Sequence, residues 1–194
     1  MVLGLLWCNI SVAGTKKQNL AHLKLTKQCE KCNLEGANLS GVNLLEGVSF
    51  KGVNLNEANL YKANLKDANL RGVKLYAANL TGANLKDANL TKADLMEANL
   101  TGANLKDANL TKADLMEALL GGANLEGANL KKADLSRANL RKANLKKANL
   151  IGTNLSGADL EKADLSGAKL DGAKLDGAIL CKTIMDSGID NSGC

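Results

Sequence analysis

Apolar and polar residues follow one another along this chain with a period of five. From Cys32 to about Met185 the unit is Ala-Asn/Asp-Leu-x-x, with few breaks. A helix repeats every 3.6 residues and a strand every 2, so neither regular element fits. A coil that turns a corner every five residues does. The segment TGANLKDANLTKADLMEANL from Thr81 to Leu100 recurs from Thr101 to Leu120 with one change, Asn99 becoming Leu119. Four five-residue sides make a closed turn of that length, placing Lys86 over Lys106 and Met96 over Met116. Ala83, Ala88, Ala93 and Leu85, Leu90, Leu95 then point inward, and the Asn/Asp between them faces out with the two residues that follow.

Magnitudes require the turns to stack. Burying one Leu contributes roughly 1.5–3 kcal/mol, whereas ordering five residues of backbone costs about 5–10 kcal/mol. Each coil must gain hydrogen bonds from its neighbours, which makes a solenoid with a parallel ladder. Proline, which cannot donate to such a ladder, is absent. Glycine recurs two positions after the central Leu, as at Gly82, Gly102 and Gly122; a type II turn needs φ > 0 there. Lys92 and Asp87 at the same place predict a strained corner or another turn type.

The unbroken A(N/D)Lxx units resemble the pentapeptide-repeat proteins, over about four-fifths of the chain and about thirty-one successive units. The resemblance implies an all-β fold: a right-handed quadrilateral β-helix with about 20 residues per coil. At about 4.8 Å per coil the rod is roughly 37 Å long. Residues 32–185 form the β-helix, residues 14–31 an N-terminal cap with a short helix, and residues 186–194 a C-terminal cap. Leu45 is one residue too many and predicts a bulged corner between Leu44 and Gly47. Phe50, Val42, Val48, Val53 and Val73 read as core variations, and His22 as a surface residue of the cap. Ile179 and Ile184 replace outward Asn and are expected beneath the C-terminal tail, whereas Leu119 is expected to be exposed, a candidate contact.

Residues 1–13 are apolar and end in Ser11-Val12-Ala13. They read either as an export signal shortened at its start or as an ordinary apolar arm, too short to span a bilayer. The cysteines are Cys8, Cys29, Cys32, Cys181 and Cys194. The second and third lie at the opposite end of the rod from the last two, too far apart for one zinc site. Cys181 with Cys194 would close the C-terminal tail, and Cys29 with Cys32 would clip the N-terminal cap unless Cys32 is simply a small buried thiol. Disulfides and a signal both point to an oxidising compartment. The resemblance extends to exported members of cyanobacteria and chloroplasts, which implies periplasm or thylakoid lumen; a cytoplasmic location is the alternative.

Charge distinguishes the sides. One carries Lys51, Arg71, Lys92, Lys112, Lys131 and Lys132, and the adjoining one Glu57, Asp94, Glu97, Asp114 and Glu117. Around one coil, Lys131, Lys132, Arg137, Arg141, Lys142, Lys146 and Lys147 form a basic collar that meets only Asp134. The collar reads either as a landing place for an anionic partner or as a solvated surface. No aromatic residues interleave it for base stacking, so nucleic acid is not the expected partner. Some pentapeptide-repeat proteins protect DNA gyrase by resembling DNA, which needs an acidic rod, and this chain carries +5. Catalysis lacks a phosphate-cradling loop, a metal cluster and a pocket, so no catalytic residue, metal or cofactor is expected. The reading is a non-enzymatic scaffold for an unknown protein partner.

Overall fold

The computed structural model describes residues 15, 17–19, 23, 29–30, 32–44 and 48–194. The signal-like segment 1–13, His22 and the corner residues Leu45 to Gly47 lie outside the described residues, as does most of the expected cap helix, of which residues 17–19 are helical.

The chain winds into a four-sided β-helix. Parallel bridges join Asn54 to Lys74, Asn59 to Asn79, Asn64 to Asn84 and Asn69 to Asn89, one on each side, and continue at twenty-residue spacing to the C-terminal coil. Sides one to four are named in that order. In the first coil the offset is twenty-one, from Asn33 to Asn54 and from Asn43 to Asn64, and it becomes twenty at Ser49 to Asn69. The extra residue therefore falls between Asn43 and Ser49, where the pattern placed it.

The shaft holds stacked Leu and Ala, from Val53 and Leu55 through Leu165. Thr153 takes an Ala position and stays buried because its hydroxyl donates to the Leu130 carbonyl at 2.7 Å.

Every backbone N–H of one unit can be followed, which explains why these residue types recur. In the unit Asn104 to Ala108, the Asn104 N–H donates to the Ala83 carbonyl of the preceding coil at 2.9 Å, and the Leu105 N–H to Asn124 of the next at 2.7 Å. Asp107 donates to Glu126 of the next coil at 2.9 Å, and Ala108 closes the turn onto the Leu105 carbonyl at 3.0 Å. That leaves Lys106, whose N–H donates to the Asn104 side-chain Oδ1 at 3.2 Å. Asn or Asp recurs because its short side chain reaches the one turn N–H that no backbone carbonyl of a neighbouring coil accepts. On the third side the carboxamides also bond to each other, Asn84 to Asn64 at 3.0 Å and Asn104 to Asn84 at 3.3 Å.

Corners keep one geometry whatever residue occupies them. Gly102 has φ 64°, and Lys92 and Asp87 have φ 58° and 59° with the same closing hydrogen bonds, Ala93 to Leu90 and Ala88 to Leu85. Of the two alternatives for these corners, the strained left-handed one is found, at roughly 1–2 kcal/mol each.

At the C-terminus, strands β1 (Thr183–Met185) and β2 (Gly188–Asp190) form an antiparallel hairpin. The Leu180 N–H donates to the Ser192 carbonyl at 3.0 Å. The tail borders Ile179 and Ile184 without covering them: they remain 39% and 40% exposed, a correction to their expected place beneath it. The hairpin pairs Ile184 edge to edge with Ile189, so the backbone is satisfied and the side chains are not.

Candidate interaction surface

Two surfaces depart from the uniform rod, and they lie on different sides of it. The first is the second side. Between Asn56 and Ser166, each N–H of the first corner residue after the central Leu has a side-chain acceptor except one. Lys74 also interrupts the Asn/Asp pattern, but Asn56 rescues Tyr76 by accepting its N–H at 3.1 Å. Leu119 has no such rescue. One coil before, Asn99 accepts the Thr101 N–H at 3.0 Å, and one coil after, Asn139 accepts that of Arg141 at 3.1 Å. Gly121, which follows Leu119, has no acceptor among the described residues.

Leu119 is 43% exposed, as the sequence predicted. Tyr61 at the adjoining corner and Ile179 three coils beyond Leu119 on the same side are 40% and 39% exposed. Three of the five exposed large hydrophobics among the described residues thus line one side, at steps of about 14 Å if coils lie about 4.8 Å apart. Between Tyr61 and Arg141 the corner carries Gly82, Gly102 and Gly122; a β-carbon would meet open space at Gly102 and Gly122 and the Lys62 side chain at 3.4 Å at Gly82. A partner's backbone can approach closely there.

The second surface is the corner between sides four and one. It presents Lys51, Arg71, Lys92, Lys112, Lys131 and Lys132 on successive coils, and none of these cations has an ion pair among the described residues. At its N-terminal end a shallow depression of about 370 Å³ is lined by Glu30, Lys51, Gly52, Arg71, Gly72 and Lys92. Two stacked glycines open it, a feature the sequence reading missed because it considered glycine only as a turn residue. Asp94, Asp114 and Asp134 flank the corner on the first side, with Glu57, Glu97 and Glu117 at the corner beyond.

The collar is less uniform than its own coil suggests. Arg137 pairs with Glu117 at 2.9 Å, Arg141 with Asp159 at 3.1 Å and with Glu161, and Lys146 with Asp164 at 3.1 Å. The acids come from the coils above and below, so the collar does not meet only Asp134. Lys131, Lys132, Lys142 and Lys147 have no ion pair among the described residues. These pairs set the local titration. The Asp159 hydrogen bond raises the Arg141 guanidinium, and the Lys162 hydrogen bond helps hold the Glu161 carboxyl below the usual carboxylate range. Burial pushes the Asp164 carboxyl up, but Ser166 and Lys146 outweigh it and hold it low.

Four of the five cysteines, those among the described residues, lie in two pairs with their sulfurs at bonding distance. Cys29 and Cys32 have Cα atoms 5.4 Å apart, and Cys181 and Cys194 4.7 Å. No group of three or more metal-ligating side chains occurs among the described residues, and no helix among them is long and apolar enough to cross a membrane.

The pentapeptide-repeat family model matches residues 44–75, 78–116, 108–146, 118–157 and 143–180. The chain belongs to the pentapeptide-repeat family. Among solved structures it is similar to HetL, a pentapeptide repeat protein involved in heterocyst differentiation regulation from the cyanobacterium Nostoc, at 32% identity over 87% of this chain and 96% of that one, TM-score 0.40. It is similar to a pentapeptide repeat protein of the Arabidopsis thaliana thylakoid lumen at 34% identity over 58% and 70%, TM-score 0.41. A third is QnrB1, a plasmid-mediated fluoroquinolone resistance protein, at 18% identity over 73% and 88%, TM-score 0.46. No individually curated sequence matches the chain.

Proposed function

We propose that this pentapeptide-repeat protein is a non-enzymatic scaffold, exported to periplasm or thylakoid lumen, that binds a protein partner along its second side. Leu119 carries the reading. Within a near-perfect duplication it replaces an Asn that would have accepted the Gly121 N–H, and it leaves a large apolar side chain 43% exposed. A local rule broken without a structural return is what a contact residue leaves behind. Tyr61 and Ile179 extend the same side to a length a protein partner can follow, and the bare glycine corner admits its backbone.

The oxidising compartment is supported by two cysteine pairs within bonding reach, one at each end of the rod. The N-terminal segment and the Cys181–Cys194 tail act as caps over the first and last coils. The test is quantitative capture from the native compartment with wild type and Leu119→Asn side by side. A partner retained by the first and lost from the second supports the reading; the same proteins at equal recovery on both overturn it.

The second reading, an anion-binding collar, rests on Lys131, Lys132, Lys142 and Lys147, which have no ion pair among the described residues. Topoisomerase modulation fits less well, because a net charge of +5 does not resemble a nucleic acid. Gyrase supercoiling is expected to be unchanged by the pure protein.

A further inference from the structure

The basic corner between sides four and one is not used by the second-side reading and shares only Lys131 and Lys132 with the collar, and its geometry selects a partner. Five successive coils each place at least one cation without an ion pair among the described residues at this corner, at its first position in Lys51, Arg71 and Lys131 and at its second in Lys92, Lys112 and Lys132. The edge rises about 4.8 Å per coil, so the ladder spans roughly 19 Å in four steps. On the side-four flank the outward residues Asn69, Asn89, Asn109 and Asn129 are neutral, and on the side-one flank Asp94, Asp114 and Asp134 repel an anion. An anionic partner is therefore steered onto the edge from side four.

The twenty-residue register, which stacks the cations in one row along the rod, decides between polyanions. Phosphates of a nucleic-acid duplex wind around its axis at about 3.4 Å rise per nucleotide in each strand, so a cationic row along the rod meets a strand only where the two cross. A bilayer would favour apolar or aromatic residues beside the cations, and this corner carries Thr91 and Thr111 there instead. An α-helix with a carboxylate on one face at every turn presents charges in a line parallel to its axis, at a pitch of about 5.4 Å. Over four steps the two ladders differ by about 2.4 Å, which flexible Lys and Arg side chains absorb.

We propose that this edge is the docking site for an acidic helical segment of a protein partner, laid along the rod with one carboxylate per coil. The inference rests on the scaffold reading and places a second contact on a different side of the rod from Leu119. The depression at Lys51, Arg71 and Lys92, where Glu30 is the one acidic lining residue, receives an uncharged end of that helix, and Gly52 and Gly72 remove side chains that would hold it off the backbone.

The test uses the full chain and a synthetic helical peptide of about fifteen residues, roughly 21 Å long, with Glu at positions 1, 5, 8, 12 and 15. Controls are a peptide of the same composition with Glu spread around the helix, duplex DNA, and vesicles of anionic phospholipid. Binding is followed by fluorescence anisotropy at low and near-physiological salt. The aligned peptide should bind at least tenfold tighter than the spread one, weaken with salt, and lose at least tenfold in affinity to Lys92→Glu/Lys112→Glu but not to Leu119→Asn. Equal binding of the two peptides overturns the inference, as does preference for DNA or vesicles. So does self-association abolished by the same double substitution. Loss of peptide binding with partner capture through Leu119 intact removes this inference alone; peptide binding with no Leu119-dependent capture removes the scaffold's second-side reading alone.

Discussion

Replacing Leu105 by Ala in the middle of the shaft tests the packing argument. Leu105 is fully buried, stacked between the coils of Leu85 and Leu125. Its surroundings cannot collapse into the space, because the Leu105 N–H is tied to Asn124 at 2.7 Å and the Leu85 N–H to Asn104 at 2.7 Å, which fixes the coil spacing. The cost therefore falls in the upper part of the usual range for such truncations, about 3–5 kcal/mol. Leu175 in the last coil is only partly buried, and no coil beyond it accepts its N–H. Leu175→Ala should cost about 1–2 kcal/mol, because part of that side chain is already in water. With a urea slope of about 2 kcal/mol/M, the Leu105→Ala midpoint should move down by about 1.5–2.5 M and the Leu175→Ala midpoint by less than half as much. Circular dichroism and a tail-proximal fluorescent label would follow the two together. Equal shifts, or a Leu105→Ala shift below about 0.5 M, would refute a rigid shaft whose rungs cannot relax.

Other consequences can be measured separately. Gly102→Ala should lower stability by about 0.5–1 kcal/mol, since φ 64° disfavours a β-carbon although the space around it is open, and Ala77→Gly at φ 51° should raise it by a similar amount; opposite signs in thermal melts check this. Cleavage of the Cys181–Cys194 bond removes a closed loop that contributes about 3 kcal/mol, so reduction should expose the amides of residues 181–194 to hydrogen exchange while the central coils stay protected. Asp134 is pushed up by burial but held low overall by Ser136 and Asn154. A depressed carboxyl gives stability that is present above its unfolded value near 3.9 and is lost as pH falls through the lower folded value. Asp134→Asn, which resembles the protonated acid, should therefore flatten the acid limb of a pH-stability curve by lowering its neutral part, and leave stability below the folded value nearly unchanged.

The five-residue period was legible because each inward position must be apolar in every coil, and the extra residue near Leu45 because it shifts every later centre. The paired cysteines were legible from their places at the two ends. The reason for Asn and Asp was not, since it depends on following the Lys106 N–H to a side chain two residues back rather than on outward exposure alone. The collar looked unopposed because its acids, Glu117, Asp159, Glu161 and Asp164, belong to neighbouring coils, and whether a long side chain reaches them is not set by the twenty-residue register. Lys92 and Asp87 at left-handed corners could not be assigned from propensity, because the ladder on either side imposes the turn on whichever residue is present.

Hydroxyl-radical footprinting of the rod, free and with its captured partner, tests the central claim at the side chains themselves. The account predicts that Leu119, Tyr61 and Ile179 lose reactivity together on binding while Ile189 on the terminal hairpin does not. Unchanged reactivity at Leu119, with protection confined to the hairpin or to the ends of the shaft, would contradict it.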